Sequence, residues 1–344
     1  MKQIKVLIAG VGGASLGTEI IKSLLLANSQ NTTHVYEIYA CDISPIAYGL
    51  HMAGVKKAFA VNLERYVQDI YEYCKNEDIQ YILPGGEEPT LLLSAVRGEF
   101  QDADIVILAN APDVVKTCNN KALSFETLKG LGFNIPESFT IKTLADLDTV
   151  DVRFPCVIKP STGTGGSHFV YLVDNAIDLR LYCKLLFDNG KDVLVQAYVP
   201  LDEGEYTIGV LSAPDRSILG SIALQRSFSS KLSYSFKGDL GLISSGYSQG
   251  RVDDFCDLRQ QAEKIAIKLG SEGPLNVQAR VVNGNLIPFE INPRFSASTY
   301  LRSLAGFNEV DVYIRYLEMG ERRFNIKLQK GYYLRSLTEN FIPF

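Results

Sequence analysis

The sequence predicts a chain in two parts, a parallel α/β unit at the N-terminus followed by an α+β portion rich in antiparallel strands. Residues 1–110 alternate short β-rich runs with helical ones, the pattern of a parallel sheet covered on both faces. Beyond about residue 113 the rhythm changes to paired strands around a second glycine-rich stretch. At 344 residues the chain is long enough for two or three packed units.

Taken in order, "KVLIAG" reads as a buried first strand and residues 15–27 as a helix. "VYEIYACD" is the second strand, residues 63–76 a helix, and "YILPG" and "DIVILAN" two more strands separated by a helix. A ligand of such a unit lies at the carboxyl ends of the strands, which here carry Gly10 to Gly13, Asp42, "PGGEEP" at 84–89, and Asn110. A helix starting near Asn119 or Asn120 runs to about Gly130, with Gly132 and Pro136 marking the exit. "PCVIKP" and "HFVYLV" flank "STGTGG"; a helix over 176–188 and the strand "DVLVQAYV" follow. "GEYTIGVLS" and "SILGSIALQRS" read as antiparallel neighbours, residues 254–269 as a long helix, and "LNVQARVV" and "NLIPFEINP" as a final pair joined through "NGN".

Composition narrows the function. A formal charge of −5, with Lys and Arg scattered, argues against a nucleic-acid partner. The six cysteines form no C-x-x-C pair, so reduced thiols are expected rather than a zinc cluster or a disulfide framework. The N-terminal apolar run passes directly into glycines without a cleavage site, and no stretch reaches the roughly 18 apolar residues of a membrane helix. A cytoplasmic protein with no membrane partner is expected.

Two glycine-rich stretches compete for a phosphate. The first, from Gly10, reads G-x-G-x-x-S and lacks the third glycine of the dinucleotide fingerprint, although Asp42 imitates its ribose-binding acid. It keeps an NAD-dependent oxidoreductase open as a reading of another class; the plainer one is that these glycines let a helix pack against the sheet. The second, "KPSTGTGGSHFV" at 159–170, follows a lysine on the entering strand, so its backbone N–H groups can fold onto a triphosphate beside Lys159.

"FEINPRFSAS" at 289–298 places Glu290 and Asn292 on one face of a strand, with Arg294 just past Pro293. Such oxygen ligands suit Mg2+, and Gln278 on the preceding strand can supply another. A three-residue loop of Asn283, Gly284 and Asn285 pairs Val282 with Leu286 and sets Gln278 opposite Glu290. A two-residue Asn-Gly turn would pair Gln278 with Phe289 and point it away; the longer loop is expected.

"NNKALSFETLKGLGFNIPES", "FPCVIKPSTGTGGSHFVYLV", "VLVQAYVPLDEGEYTIGVL" and "GPLNVQARVVNGNLIPFEINPRFSAS" together resemble the ATP-grasp superfamily, most closely its carbamoyl-phosphate synthase large-subunit-like branch. The resemblance covers nearly the whole chain, which is less than half a full synthase large subunit. It implies a Rossmann-like pre-ATP-grasp domain at 1–113, a small lobe with the glycine loop at 114–195, a large lobe with the metal site at 196–322, and a tail, 323–344, packed on the body. It implies Lys121 and Lys159 on the ATP phosphates under a loop containing Ser161, Thr162, Gly163, Gly165, Gly166 and Ser167. The hinge Gln196, Ala197, Tyr198 and Val199 would meet adenine, and Glu205 the ribose. Gln196 and Ala197 stand where the family usually carries a glutamate, leaving main-chain and amide contacts to the base. Gln278, Glu290 and Asn292 would hold Mg2+ or Mn2+, and Arg294 would steady an acyl phosphate.

The implied activity is an ATP-dependent ligase that joins a small-molecule carboxylate to an amine and releases ADP and phosphate, or a carbamoyl-phosphate-type phosphorylation of bicarbonate or carbamate. Arg226 and Lys231 are candidates for the acceptor's anionic group or plain surface charges, Glu87 and Glu88 for an amine or a solvated loop. His168 could touch ligand, though a structural or solvated role fits as well. A homodimer is compatible with all of this.

Overall fold

The computed structural model describes residues 1–12, 16–162, 167–340 and 342. Its N-terminal sheet holds β1 (Lys2–Ala9), β2 (His34–Asp42), β3 (Val55–Ala60), β4 (Tyr81–Pro84) and β5 (Val106–Ile107), all parallel, in the order β3-β2-β1-β4-β5. The central β1 buries Ile4, Val6, Leu7, Ile8 and Ala9 completely, as a strand covered on both faces must. Sequence periodicity misses β3, whose "VKKAFA" is a polar edge strand blunted by two lysines. Helices α1 (Leu16–Gln30), α2 (Tyr66–Glu77), α3 (Glu87–Ala95) and α4 (Arg97–Gln101) accompany the sheet. The first runs three residues beyond its expected end.

Two helices lead out of this unit, α5 (Pro112–Asn119) and α6 (Lys121–Gly130), the latter capped by Asn120, whose side chain accepts from Leu123 N at 3.0 Å. A four-stranded antiparallel sheet follows, built from β6 (Ser138–Ile141), β7 (Cys156–Pro160), β8 (Tyr171–Val173) and β9 (Val193–Ala197) in the order β6-β9-β7-β8. Helix α7 (Ala176–Asp188) packs Leu179, Cys183 and Leu186 on it. The expected strand at "HFVYLV" shortens to β8. The expected lobe boundary at 195/196 falls inside β9.

The largest sheet runs β16-β15-β10-β11-β14-β17, from β10 (Glu205–Ser212), β11 (Ile218–Arg226), β14 (Gly250–Val252), β15 (Pro274–Val282), β16 (Asn285–Asn292) and β17 (Gly331–Tyr333). A small hairpin, β12 (Tyr234–Gly238) with β13 (Gly241–Ser244), stands beside it. Helix α8 (Cys256–Leu269) covers one face through Leu258, Ala262, Ile265 and Ala266; α9 (Thr299–Leu304) and α10 (Glu309–Met319) lie toward α1 on the other. Arg302 of α9 is buried there, donating to Glu309 Oε1 at 2.9 Å, Thr207 Oγ1 at 3.1 Å and Asn276 Oδ1. Only glycine fits opposite it, since a Cβ on Gly209 would lie 2.3 Å from Arg302 Nη1.

The β15–β16 hairpin corrects the expected loop. Val282 pairs with Asn285, so the turn is the two-residue Asn283-Gly284, with φ of 51° and 72° as a type I′ turn requires. The register then shifts: Ala279 pairs with Pro288, yet Gln278 pairs with Glu290, leaving Phe289 as the extra residue of a β-bulge. Pro288 has no N–H for the ladder, which makes this a natural place for the break. Gln278 and Glu290 therefore face each other through a short turn plus a bulge instead of a longer loop.

Replacing Arg302 by Met should lower stability by about 3–5 kcal/mol, because Glu309 is left charged and unpaired in a dry site. A denaturant titration that leaves the midpoint unmoved would show that this cluster does not hold α9 to the sheet.

Candidate functional site

The expected site residues converge from three directions. From the four-stranded sheet, β7 delivers Lys159 and β9 delivers Gln196 and Ala197, with Tyr198 and Val199 just beyond. From the large sheet, β10 brings Glu205, β15 brings Gln278, and β16 brings Glu290 and Asn292. Lys121 opens α6, held there by its N–H donating to Ser161 O at 2.8 Å. Lys121, Lys159, Ser167, the four hinge residues, Glu205, Gln278 and Glu290 line one cavity of about 90 Å³.

Lys159 is buried. Its ammonium donates to Gln196 Oε1 at 2.8 Å and to the bulge carbonyl of Phe289 at 3.0 Å, and lies 5.2 Å from the Phe125 ring centre. Burial pushes its pKa down to about 7; nearby Lys121 adds to this and Glu290 opposes it. Gln196 spends its remaining amide on Ser138 Oγ at 3.0 Å. The Gln196 amide expected to face a base thus holds Lys159 and Ser138 here, while Gln196 also lines the cavity.

The side chains of Gln278 and Glu290 make no hydrogen bond or ion pair with any described residue, although each lines the cavity. Asn292 Oδ1 accepts from Arg294 Nη2 at 3.1 Å, while its buried Nδ2 has no partner. Free amide and carboxylate oxygens on adjoining strands fit a hard dication such as Mg2+ or Mn2+ shared with phosphate oxygens. Among the described residues no three His, Cys, Asp or Glu side chains gather as a softer metal would need.

Glu290 lies where three cavities meet. One is the cavity above; a second, of about 660 Å³, also holds Glu87, Arg226, Lys231, Gln278 and Arg294; a third, of about 390 Å³, adds Glu88, Lys121, Thr162 and Asn292. Arg294 Nη2 donates to Glu87 Oε1 at 2.9 Å, joining the segment after β16 to the start of α3. Burial would raise the Glu87 pKa, but Arg294 and then Lys121 bring it below the usual carboxylate range. Glu88 is exposed, and so is Lys231, whose side chain has no partner among the described residues.

Arg226 is neither a surface charge nor a free substrate group. It is buried, with Nη1 on Glu205 Oε1 at 3.3 Å and Nη2 on the carbonyls of Ser233, Ser245 and Tyr247. Desolvation pushes its pKa down, with the charge of Glu205 opposing. Glu205 is itself wholly buried, its second oxygen accepting from Arg280 Nε at 2.9 Å. Its expected ribose partner would therefore meet an occupied carboxylate. Ser161 is buried with an unpartnered Oγ, Thr162 is exposed, and Ser167 Oγ donates to Ser244 O at 2.6 Å. Gly163, Gly165 and Gly166 lie outside the described residues. His168 is exposed. Arg280 is the residue that sequence reasoning missed: an arginine two positions after Gln278 shares its face, and that spacing was its only signal.

The ATP-grasp domain family matches residues 118–298. The chain belongs to the ATP-grasp family. The carbamoyl phosphate synthase large chain of Vibrio cholerae is 25% identical over 228 residues, covering 65% of this chain, and that of Halomonas eurihalina 23% over 289 residues, covering 81%. This chain spans only 20% and 26% of their respective lengths. Among solved structures, the ATP-grasp fold is shared with L-amino acid ligase from Bacillus licheniformis (TM-score 0.65, 16% identity, 96% of this chain and 78% of that one). It is shared also with an ADP complex of N5-carboxyaminoimidazole ribonucleotide synthetase (TM-score 0.67, 14% identity, 95% and 78%).

The ATP-grasp match leaves the first glycine loop outside, and nothing supports the NAD-dependent reading. Asp42 has another task. Its Oδ2 accepts from Val11 N at 2.7 Å and its Oδ1 from Ser44 N at 3.0 Å, so it ties Val11 to the segment after β2. The glycines there permit close approach, since a Cβ on Gly17 would lie 2.0 Å from Gly10 O. No helix among the described residues is long and apolar enough to cross a membrane. All six cysteines are free, and burial raises the thiol of Cys183 to about 11.

Lys159 gives a prediction with a definite sign. Above pH 7 it is mostly neutral in the free protein, and phosphate oxygens beside it restore the charge. Nucleotide binding at pH 8 should take up roughly one proton, and little at pH 6, with affinity falling as pH rises through 7. Calorimetry in two buffers of different ionisation enthalpy measures this, and Lys159→Gln should abolish the uptake.

Proposed function

We propose that this protein is an ATP- and Mg2+-dependent ligase that activates a small-molecule carboxylate as an acyl phosphate for attack by an amine, releasing ADP and phosphate. The observation that carries the reading is the meeting of the lysine-lined cavity and the larger acceptor cavity at Gln278 and Glu290. A carboxylate is a poor electrophile. Transfer of the γ-phosphoryl group to its oxygen creates a leaving group; the amine then adds to the carbonyl carbon, phosphate departs and the amine proton is lost. Phosphoryl transfer of this kind rests on positioning and charge neutralisation.

Lys121 and Lys159 are assigned to the ATP phosphates, with Ser161, Thr162 and Ser167 at the edges of the covering loop. Gln278, Glu290 and Asn292 would hold Mg2+, which when bound neutralises charge between the phosphates. Arg294 is assigned to the acyl phosphate, and its partner Glu87, kept ionised, to the amine. Lys231, which lines the larger cavity without a side-chain partner among the described residues, suits the acceptor's anionic end. We read residues 1–113, 114–195 and 196–322 as three working units and 323–344 as a tail. A homodimer and a cytoplasmic location remain part of this proposal.

The match to carbamoyl phosphate synthase large chains favours a second reading, phosphorylation of bicarbonate or carbamate. Measuring ADP release over a panel of amino acids, small carboxylates and bicarbonate separates the two. Mg-ATP should raise the melting temperature and NAD should not, and Glu290→Ala should abolish ADP release while the protein still melts cooperatively. Stabilisation by NAD alone would overturn the ligase reading.

A further inference from the structure

The nucleotide cavity is partly filled by the protein itself. Arg280 of β15 is 5% exposed and lines the cavity with Tyr198, Val199, Glu205 and Phe289. Its Nε donates to Glu205 Oε2 at 2.9 Å, its Nη2 to Leu242 O at 2.7 Å, and its Nη1 to the hinge carbonyl of Val199. The guanidinium carbon lies 4.7 Å from the Tyr198 ring centre and 5.9 Å from that of Phe289. What is left is about 90 Å³, whereas sites for drug-sized ligands run to roughly 300–1,000 Å³.

The groups Arg280 engages matter more than the space it fills. In the reading given above, Val199 belongs to the hinge that meets adenine and Glu205 meets the ribose hydroxyls. An adenine amino group and a ribose hydroxyl are donors; so is a guanidinium, which has no acceptor at all. Nucleotide and arginine therefore offer the same chemistry to the same two oxygens. Glu205 also has a second arginine, Arg226, on its other oxygen at 3.3 Å, so the carboxylate keeps a counter-ion when Arg280 leaves.

We propose that Arg280 is a specificity-determining residue of the nucleotide site: its guanidinium occupies the Val199 carbonyl and the Glu205 carboxylate in the free protein, and a nucleotide binds by displacing it. The displacement is offset only by a ligand that brings its own donors to both oxygens. Arg280 thus sets a threshold that lowers nucleotide affinity and favours a complete adenosine. The inference rests on the ATP-binding reading.

Titration calorimetry of ATP with Mg2+ into the wild-type protein and Arg280→Leu tests it. Leucine keeps apolar bulk between Tyr198 and Phe289 and removes every donor. The variant should bind about tenfold more tightly or better, the equivalent of one charge-assisted hydrogen bond no longer broken. Equal or weaker affinity overturns the proposal while leaving ATP binding intact. No binding by either protein refutes the nucleotide reading itself, and this inference with it. A crystal structure of the wild-type protein with ADP needs no variant: the guanidinium should have left Val199 and Glu205, and finding it on both with the nucleotide seated overturns the idea.

Discussion

The buried ammonium of Lys159 is the contact around which the site is organised. It draws together a strand of the small sheet, through Gln196, and a strand of the large one, through the Phe289 carbonyl. A lysine so placed costs desolvation free energy, visible in its lowered pKa. Two neutral acceptors satisfy its geometry without cancelling its charge, which leaves that charge available to an anion. Had a carboxylate taken the place of Gln196, the lysine would stay protonated at rest with its charge already compensated.

The two glycine-rich stretches show how one composition serves two physical ends. Around Gly10, Gly17 and Gly85 the missing side chains let three backbone segments touch, and a Cβ on Gly17 or Gly85 would meet Gly10 O at about 2 Å. The described start of that loop is tied to the end of β2, where Val11 N donates to Asp42 Oδ2. The second stretch begins beside a buried lysine and ends at Ser167, on the wall of the cavity. Neighbouring charge, more than glycine spacing, separates them.

Much of the fold was legible because its strands and helices are locally determined: the capped α6, the apolar core of β1 and the long α8 follow from periodicity and caps. The order of Lys159, Gln278, Glu290, Asn292 and Arg294 was legible for the same reason, two of those positions being set by strand alternation. What escaped depends on partners distant in sequence. Whether Arg226 sits in water or against Glu205, 21 residues away, is a fact of packing. Arg280 lies 75 residues from the carboxylate it neutralises, and Arg294 lies 207 from Glu87. Edge strand β3 carries no hydrophobic alternation because four of its six residues are exposed and none is buried.

The hairpin that carries Gln278 and Glu290 has a wider consequence. A short turn with a bulge and a longer turn without one present the same side chains to the same face, because each adds a single residue on the way from Val282 to Glu290. Turn length and bulge are therefore interchangeable: a residue inserted at Asn283-Gly284 can be absorbed by flattening the strand at Phe289. Homologues could drift by one residue through this hairpin and keep the face intact. A column-by-column alignment would then show a gap beside Glu290, and the pairing across the strands would be the surer guide to equivalence.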